Sequence, residues 1–153
     1  MKVYRLHRKK YPDELSGKGA AIRGARWNSR GVEVIYTSSS RALAMAEVLV
    51  HLNIDIVPND FLMLTIEVPE DISMAEIKDD ELPSQWSSFS RIFLTQKIGD
   101  QFIQENRCCL FKVPSVVVPG DFNFLINPGH PEFKNIKVVK SMVFPFDSRF
   151  FEL

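Results

Sequence analysis

The chain has 153 residues, 45% of them hydrophobic, and its 19 basic and 19 acidic residues cancel to a net charge of zero. This length and apolar content predict one globular domain over 1–153 with a substantial core. The short, interrupted apolar stretches exclude a membrane-spanning helix, and the balanced charge lacks the basic excess of a nucleic-acid binder.

The charge is unevenly spread. Residues 1–31 hold nine Lys/Arg against Asp13 and Glu14, whereas residues 55–105 hold three against eleven acids. A basic N-terminal third can face phosphates, although most of its lysines read as ordinary solvated surface. The start "MKVYRLHRKKYP" is basic, but no apolar stretch long enough for a signal peptide follows it. Cys108 and Cys109 are adjacent, which suits neither a disulfide framework nor Cys-x-x-Cys metal chemistry. The expected compartment is the cytosol.

In chain order, "VYRLHR" (3–8) predicts a first strand ended by Pro12. Residues 13–31, with Gly17, Gly19, Gly24 and Gly31, read as an ordered loop. The β-branched and aromatic "VEVIYTS" (32–38) predicts a buried strand, and serine-capped "SSSRALAMAEVLVHLN" a helix over 40–53. A strand is predicted at 61–69, then an acidic excursion over 70–90 with little regular structure. A helix over 90–106 follows, with Gly99 as its weak point. Pro114 and Pro119 make 108–120 an edge or bulged strand. Residues 121–133 read as a turn-rich loop, and 136–147 as the last strand. Without repeats or linker, the fold class is α+β, a single mixed domain.

Several chemistries have no support. His7, His51 and His130 stand apart with no partner at metal-ligand spacing, so no metal is expected. The two cysteines lie in an apolar run that favours inert thiols. "GKGAAIRG" misses the dinucleotide-binding spacing, no phosphate-binding P-loop is present, and Ser115 in "VPSVVV" lies outside any nucleophile elbow.

What remains is Arg26 in the glycine-flanked "GARWNSRG", Tyr36 on the next strand and Glu47 in the helix after it. Glu47 sits in "LAMAEVLVH", where apolar residues occupy most of the helix circumference. A desolvated carboxylate needs a partner, and Arg26 or a substrate hydroxyl can serve. "GARWNSRGVEVIYTSSSRALAMAEVLVH" with "VPSVVVPGDFNFLINPGHPEF" resembles the RES domain, the toxin of RES–Xre toxin–antitoxin pairs. The family's Arg, Glu and Ser correspond to Arg26, Glu47 and Ser115. Tyr36 matches its strand tyrosine, and "NPGHP" (127–131) its late Asn-Pro/His-Pro loop. The likeness runs from "VYRL" to "FDSR", with one departure at Ala25, where a second glycine is expected.

The resemblance implies an ADP-ribosyltransferase-like fold with central β-sheets and flanking helices, NAD+ as substrate, and its degradation to water or phosphate. A protein-modifying ADP-ribosyltransferase is the alternative. It also implies an Xre-family helix-turn-helix antitoxin that blocks the active site, with no direct nucleic-acid or membrane partner, and is compatible with a homodimer within the complex. Breaking the nicotinamide–ribose bond suits one carboxylate, because nicotinamide leaves neutral and needs no acid, unlike the alcohol of a glycoside. Glu47 is assigned to stabilise the cationic ribose. Arg26 would hold the diphosphate or a ribose with its planar fork, and Tyr36 would stack on nicotinamide. Ser115 would hydrogen-bond the nicotinamide amide or the ribose. Catalysis is thus assigned to Glu47, Arg26 and Ser115, and NAD+ binding to Arg26, Tyr36, Asn28 and Ser115. Trp27 would pack the loop, Asn28 would orient it or touch ligand, and Asn127 and His130 would shape the pocket wall. Against an RNA-directed toxin, the chain has no catalytic histidine pair and no basic–aromatic strand pattern. A non-catalytic binding module is at odds with the intact residue set.

Overall fold

The structure, a computed structural model, describes every residue except 13, 54 and 153. The first residue of the expected loop 13–31 therefore lies outside the described residues. Seven strands form one mixed sheet: β1 (Lys2–Arg8), β2 (Ile35–Ser38), β3 (Phe61–Glu67), β4 (Met74–Glu76), β5 (Leu110–Pro114), β6 (Phe122–Ile126) and β7 (Lys137–Val143). Their order is β4-β5-β6-β2-β1-β3-β7, with only β4 and β5 parallel. The helices are α1 (Lys18–Arg23), α2 (Arg41–Leu49) and α3 (Ile92–Glu105). The fold class is α+β, as expected. Among the described residues no helix is long and apolar enough to cross a membrane, and no cluster of three His, Cys, Asp or Glu side chains is placed to hold a metal.

The alternation of side chains along β5 and β6 divides the core between the two sheet faces. Leu110 and Ile126 join Val3, Ile35, Leu64 and Ile66 in one cluster. Their neighbours Phe111 and Leu125 join Trp27, Trp86 and Phe102 in another. A third cluster of Leu6, Ala44, Phe61, Met63 and Phe146 lies under α2. The seam that matters for function is between β1 and β2. Seven pairs tie β1 to β3, from Lys2↔Glu67 to Arg8↔Phe61, but only Tyr4↔Ser38 ties it to β2. The sheet parts along that seam and leaves room for a cleft.

Four expectations are corrected. The loop 13–31 contains α1. The loop 121–133 contains β6, which pairs with β2 on one side and β5 on the other; its Asp, Asn and Pro flanks carry a turn signal that this central pairing overrides. β5 is an interior strand. In its ladder the Asn127 N–H reaches Cys109 O at 2.8 Å and the Ser115 N–H reaches Asp121 O at 2.9 Å. The nitrogen of Pro114 therefore points away from β6, past β4, which pairs only with 110–112, and no ladder bond is lost. Gly99 is a point of close approach, since a Cβ there would stand 1.7 Å from the Trp27 carbonyl oxygen. Boundaries moved less. β2 begins at Ile35 because residue 32 closes the preceding loop, its N–H on Ser29 O (3.2 Å) and its carbonyl taken by Asn28 (3.0 Å). The Ser40 hydroxyl caps α2 by accepting the Leu43 N–H at 3.1 Å.

Candidate active site

A cleft of about 390 Å³ opens at the β1–β2 seam, lined among others by Arg5, Arg23, Arg26, Tyr36, Glu47, His51 and Asn123. Three arginines and one carboxylate thus line it. Strand alternation sends Arg5 to the sheet face opposite Tyr4 and Leu6, and its Nη1 reaches the seam by donating to Tyr36 O at 3.4 Å. Burial lowers the pKa of Arg5 and, with an opposing pull from nearby Tyr36, that of Arg26. Both guanidiniums remain cations at neutral pH, being so far above it at the outset.

The carboxylate wall is built from side chains. Oε1 of Glu47 accepts the Ser115 hydroxyl at 2.7 Å and the Asn123 amide at 2.6 Å. Asn123 is fixed in turn by the Ser38 hydroxyl, which donates to its Oδ1 at 2.8 Å. Ser115, only 4% exposed, accepts the N–H groups of Val117 (3.1 Å) and Val118 (3.0 Å). Among the described residues Oε2 makes no hydrogen bond to the protein. Of the two partners open to Glu47, Arg26 or a substrate hydroxyl, Arg26 makes no bond to it; Ser115 and Asn123 do. Ser115 stands behind the carboxylate, its one proton committed to Glu47, rather than on the cleft surface.

The arginine wall is built from main chain. α1 ends at Gly24, whose φ of 72° turns the chain back so that the Ala25 N–H reaches Asn28 O at 2.9 Å. Asn28 is fully buried; its Nδ2 donates to Ala20 O (3.0 Å), Val32 O (3.0 Å) and Ser29 O (3.2 Å), and its Oδ1 accepts the Tyr36 hydroxyl at 2.6 Å. Its amide is saturated within the loop, and it does not line the cleft. The Tyr36 hydroxyl also accepts the Trp27 N–H at 3.0 Å. Burial, chiefly, pushes the Tyr36 phenol well above its usual pKa, Asp100 adding to the rise while the Trp27 N–H and Arg26 oppose it. Tyr36 therefore stays a neutral donor, and it is one of the residues lining the cleft. Trp27, 2% exposed, packs against Trp86 and Phe111 at ring distances of 6.0 and 6.1 Å. Arg26 aims Nη1 at the carbonyls of Trp86 (3.3 Å) and Ser88 (3.2 Å).

The RES domain family matches residues 2–147. The chain belongs to the RES domain family. This RES domain is 42% identical over 139 residues to the "Prs ADP-ribosylating toxin" of Sphingobium sp. (strain YBL2), covering 90% of this chain and 86% of that one. It is 38% identical over 152 residues to the "Toxin Res" of Photorhabdus laumondii subsp. laumondii, covering 97% and 96%. Its fold superposes with a TM-score of 0.77, at 17% identity and over 98% of this chain and 86% of the other, on a chain of the M. tuberculosis MbcT–MbcA toxin–antitoxin complex.

Arg26, Tyr36 and Glu47 of this RES domain share the cleft, with Ser115 one bond behind. Asn127 and His130, expected at the pocket wall, do not line it. Asn127 is buried against Asn106 (2.8 Å), and His130 Nδ1 accepts the Glu132 N–H (3.2 Å). Sequence reasoning missed Arg5, Arg23 and Asn123. The basic N-terminal third was the available signal for the arginines, and Arg5 sits on a strand whose facing depends on pairing with β3. Asn123 was hidden inside the segment read as loop.

Proposed function

We propose that this RES domain is the toxin of a toxin–antitoxin pair and breaks the nicotinamide–ribose bond of NAD+, passing the ADP-ribosyl group to water or phosphate and so depleting NAD+ in the cytoplasm. The observation that carries the reading is the single carboxylate with Oε1 anchored and Oε2 bare, set in a cleft with three arginines. In the reaction the bonding pair leaves with the nicotinamide nitrogen, which becomes neutral. Positive charge develops on the ribose, and the acceptor oxygen then bonds to the anomeric carbon and loses its proton. Oε2 of Glu47 is the group to hold a ribose hydroxyl and face that growing charge. Anchoring Oε1 means the carboxylate need not reorganise, which is where electrostatic catalysis gains most.

The arginines answer the two negative charges of the diphosphate, Arg26 through its planar fork. The Tyr36 ring suits stacking on cationic nicotinamide. Ser115 and Asn123 act through Glu47. An Xre-family antitoxin covering the cleft would silence it. A second reading, transfer to a protein acceptor, is favoured by the name of the 42% identical Sphingobium relative and uses the same bond cleavage.

The test is NAD+ consumption by the purified chain with and without phosphate, following nicotinamide and the ADP-ribose product by chromatography. Nicotinamide release without added protein supports NAD+ degradation, and its phosphate dependence names the acceptor. No release, combined with labelling of a lysate protein by labelled NAD+, replaces it with the second reading.

A further inference from the structure

Helix α3 contributes no side chain to the cleft, yet it touches four of the five residues from Ala25 to Ser29. Thr95 donates its hydroxyl to Arg26 O at 2.5 Å, and Gln96 Nε2 donates to Ala25 O at 3.0 Å. Gly99 lets the Trp27 carbonyl lie where a Cβ would stand. Asp100 accepts the Ser29 N–H at 2.9 Å and the Ser29 hydroxyl at 2.5 Å. Positions 95, 96, 99 and 100 form one helix face. The segment entering the same helix supplies the Trp86 and Ser88 carbonyls that hold the guanidinium. Trp86 is itself tied down, its Nε1 donating to Asp79 at 2.8 Å. One continuous piece of chain, 86–100, therefore grips Arg26 at both ends, by its main chain and by its side-chain tip.

We infer that this piece is a clamp that sets where Arg26 presents its fork, with Thr95 and Asp100 as positioning residues governing NAD+ affinity rather than the chemical step. The inference rests on the reading of Arg26 as the diphosphate contact. The clamp uses only neutral acceptors on the guanidinium, so the fork is oriented without being neutralised. Asp100 spends its charge on Ser29, away from Arg26.

The test uses Thr95→Val, which keeps the shape and removes the donor, and Asp100→Ala, which cuts both bonds to Ser29. Each should raise KM for NAD+ about fivefold, an effect passed on through the loop, with kcat within about twofold of the parent. Thr95→Ser should restore the parent KM. A folded Thr95→Val or Asp100→Ala protein with unchanged KM, or with lowered kcat at unchanged KM, overturns the clamp. Inorganic pyrophosphate titrated against tryptophan fluorescence gives a reading that needs no turnover. Weaker binding by the variants supports the clamp, and equal binding overturns it, even if the parent consumes no NAD+. A parent that neither binds pyrophosphate nor consumes NAD+ overturns the reading of the cleft and the clamp with it.

Discussion

The two walls of the cleft are held by different chemistry. Glu47 is fixed by a hydroxyl and an amide, Ser115 and Asn123, both on or beside the strands that pair at the sheet centre. Arg26 is fixed by carbonyl oxygens of its own chain and by a packed tryptophan. A carboxylate needs donors, and side-chain donors can be set on one oxygen while the other stays bare. A guanidinium needs acceptors, and main-chain carbonyls provide them without cancelling its charge. The contrast teaches that side chains hold the carboxylate directly, whereas on the guanidinium itself only main-chain oxygens act and side chains reach it through the loop.

Substitutions can break that contrast. The largest effect is expected at Trp27→Ala, which empties the packing between Trp86 and Phe111 and should cost about 3–5 kcal/mol of stability in thermal or urea unfolding. A protein that kept its stability would remove the tryptophan from the account of the arginine wall. Glu47→Ala should lower nicotinamide release about a hundred- to a thousandfold while leaving the unfolding curve close to the parent's. Arg26→Lys replaces a planar fork with a point charge and should raise KM for NAD+ about ten- to a hundredfold, read from initial rates over a substrate series. Ser115→Ala frees one side of Oε1 and should lower kcat about tenfold with KM little changed. If KM rose instead, the serine would be touching ligand.

The smallest effect is with pH. Burial, with a lesser push from Glu132 and Cys108, raises the Cys109 thiol from its ordinary 9.0 to about 12. A group raised on folding gives stability that is complete below its ordinary value and is lost as pH rises towards the folded one. Tyr36 shifts in the same direction from 10.0. Stability should therefore be insensitive to both groups up to about pH 9 and fall above it, as urea midpoints taken at successive pH values will report. At pH 7.5 iodoacetamide should label Cys109 only after unfolding.

How far the sequence disclosed all this follows the same division. The group of Arg26, Tyr36 and Glu47 was legible because charged or aromatic side chains in glycine-flanked or apolar settings stand out from their neighbours. Ser115 could be singled out from the sequence but its bond to Glu47 could not, because which way a hydroxyl donates is decided by a partner 68 residues away. Strands 3–8 and 61–69 and the two longer helices came through with ends shifted by a few residues, their periodicity being local. β6 did not, because Asp121, Asn123, Asn127 and Pro128 signal turns while pairing on both edges makes 122–126 a central strand. The two carbonyls on the Arg26 guanidinium could not be read at all. Every residue carries a carbonyl, so a site made of carbonyls leaves no mark in the sequence.

The place of β6 in the sheet also has a consequence for the timing of synthesis. Chains emerge from the ribosome N-terminus first, so Arg26, Tyr36 and Glu47 are all exposed to solvent before residue 123 has been made. Until β6 inserts between β2 and β5, Glu47 has neither the amide nor the strand-end hydroxyl that anchors it, and β2 has no partner on that side. The cleft is thus a late product of synthesis: its carboxylate is anchored only once Asn123, 76 residues after Glu47, has been added and β6 has paired.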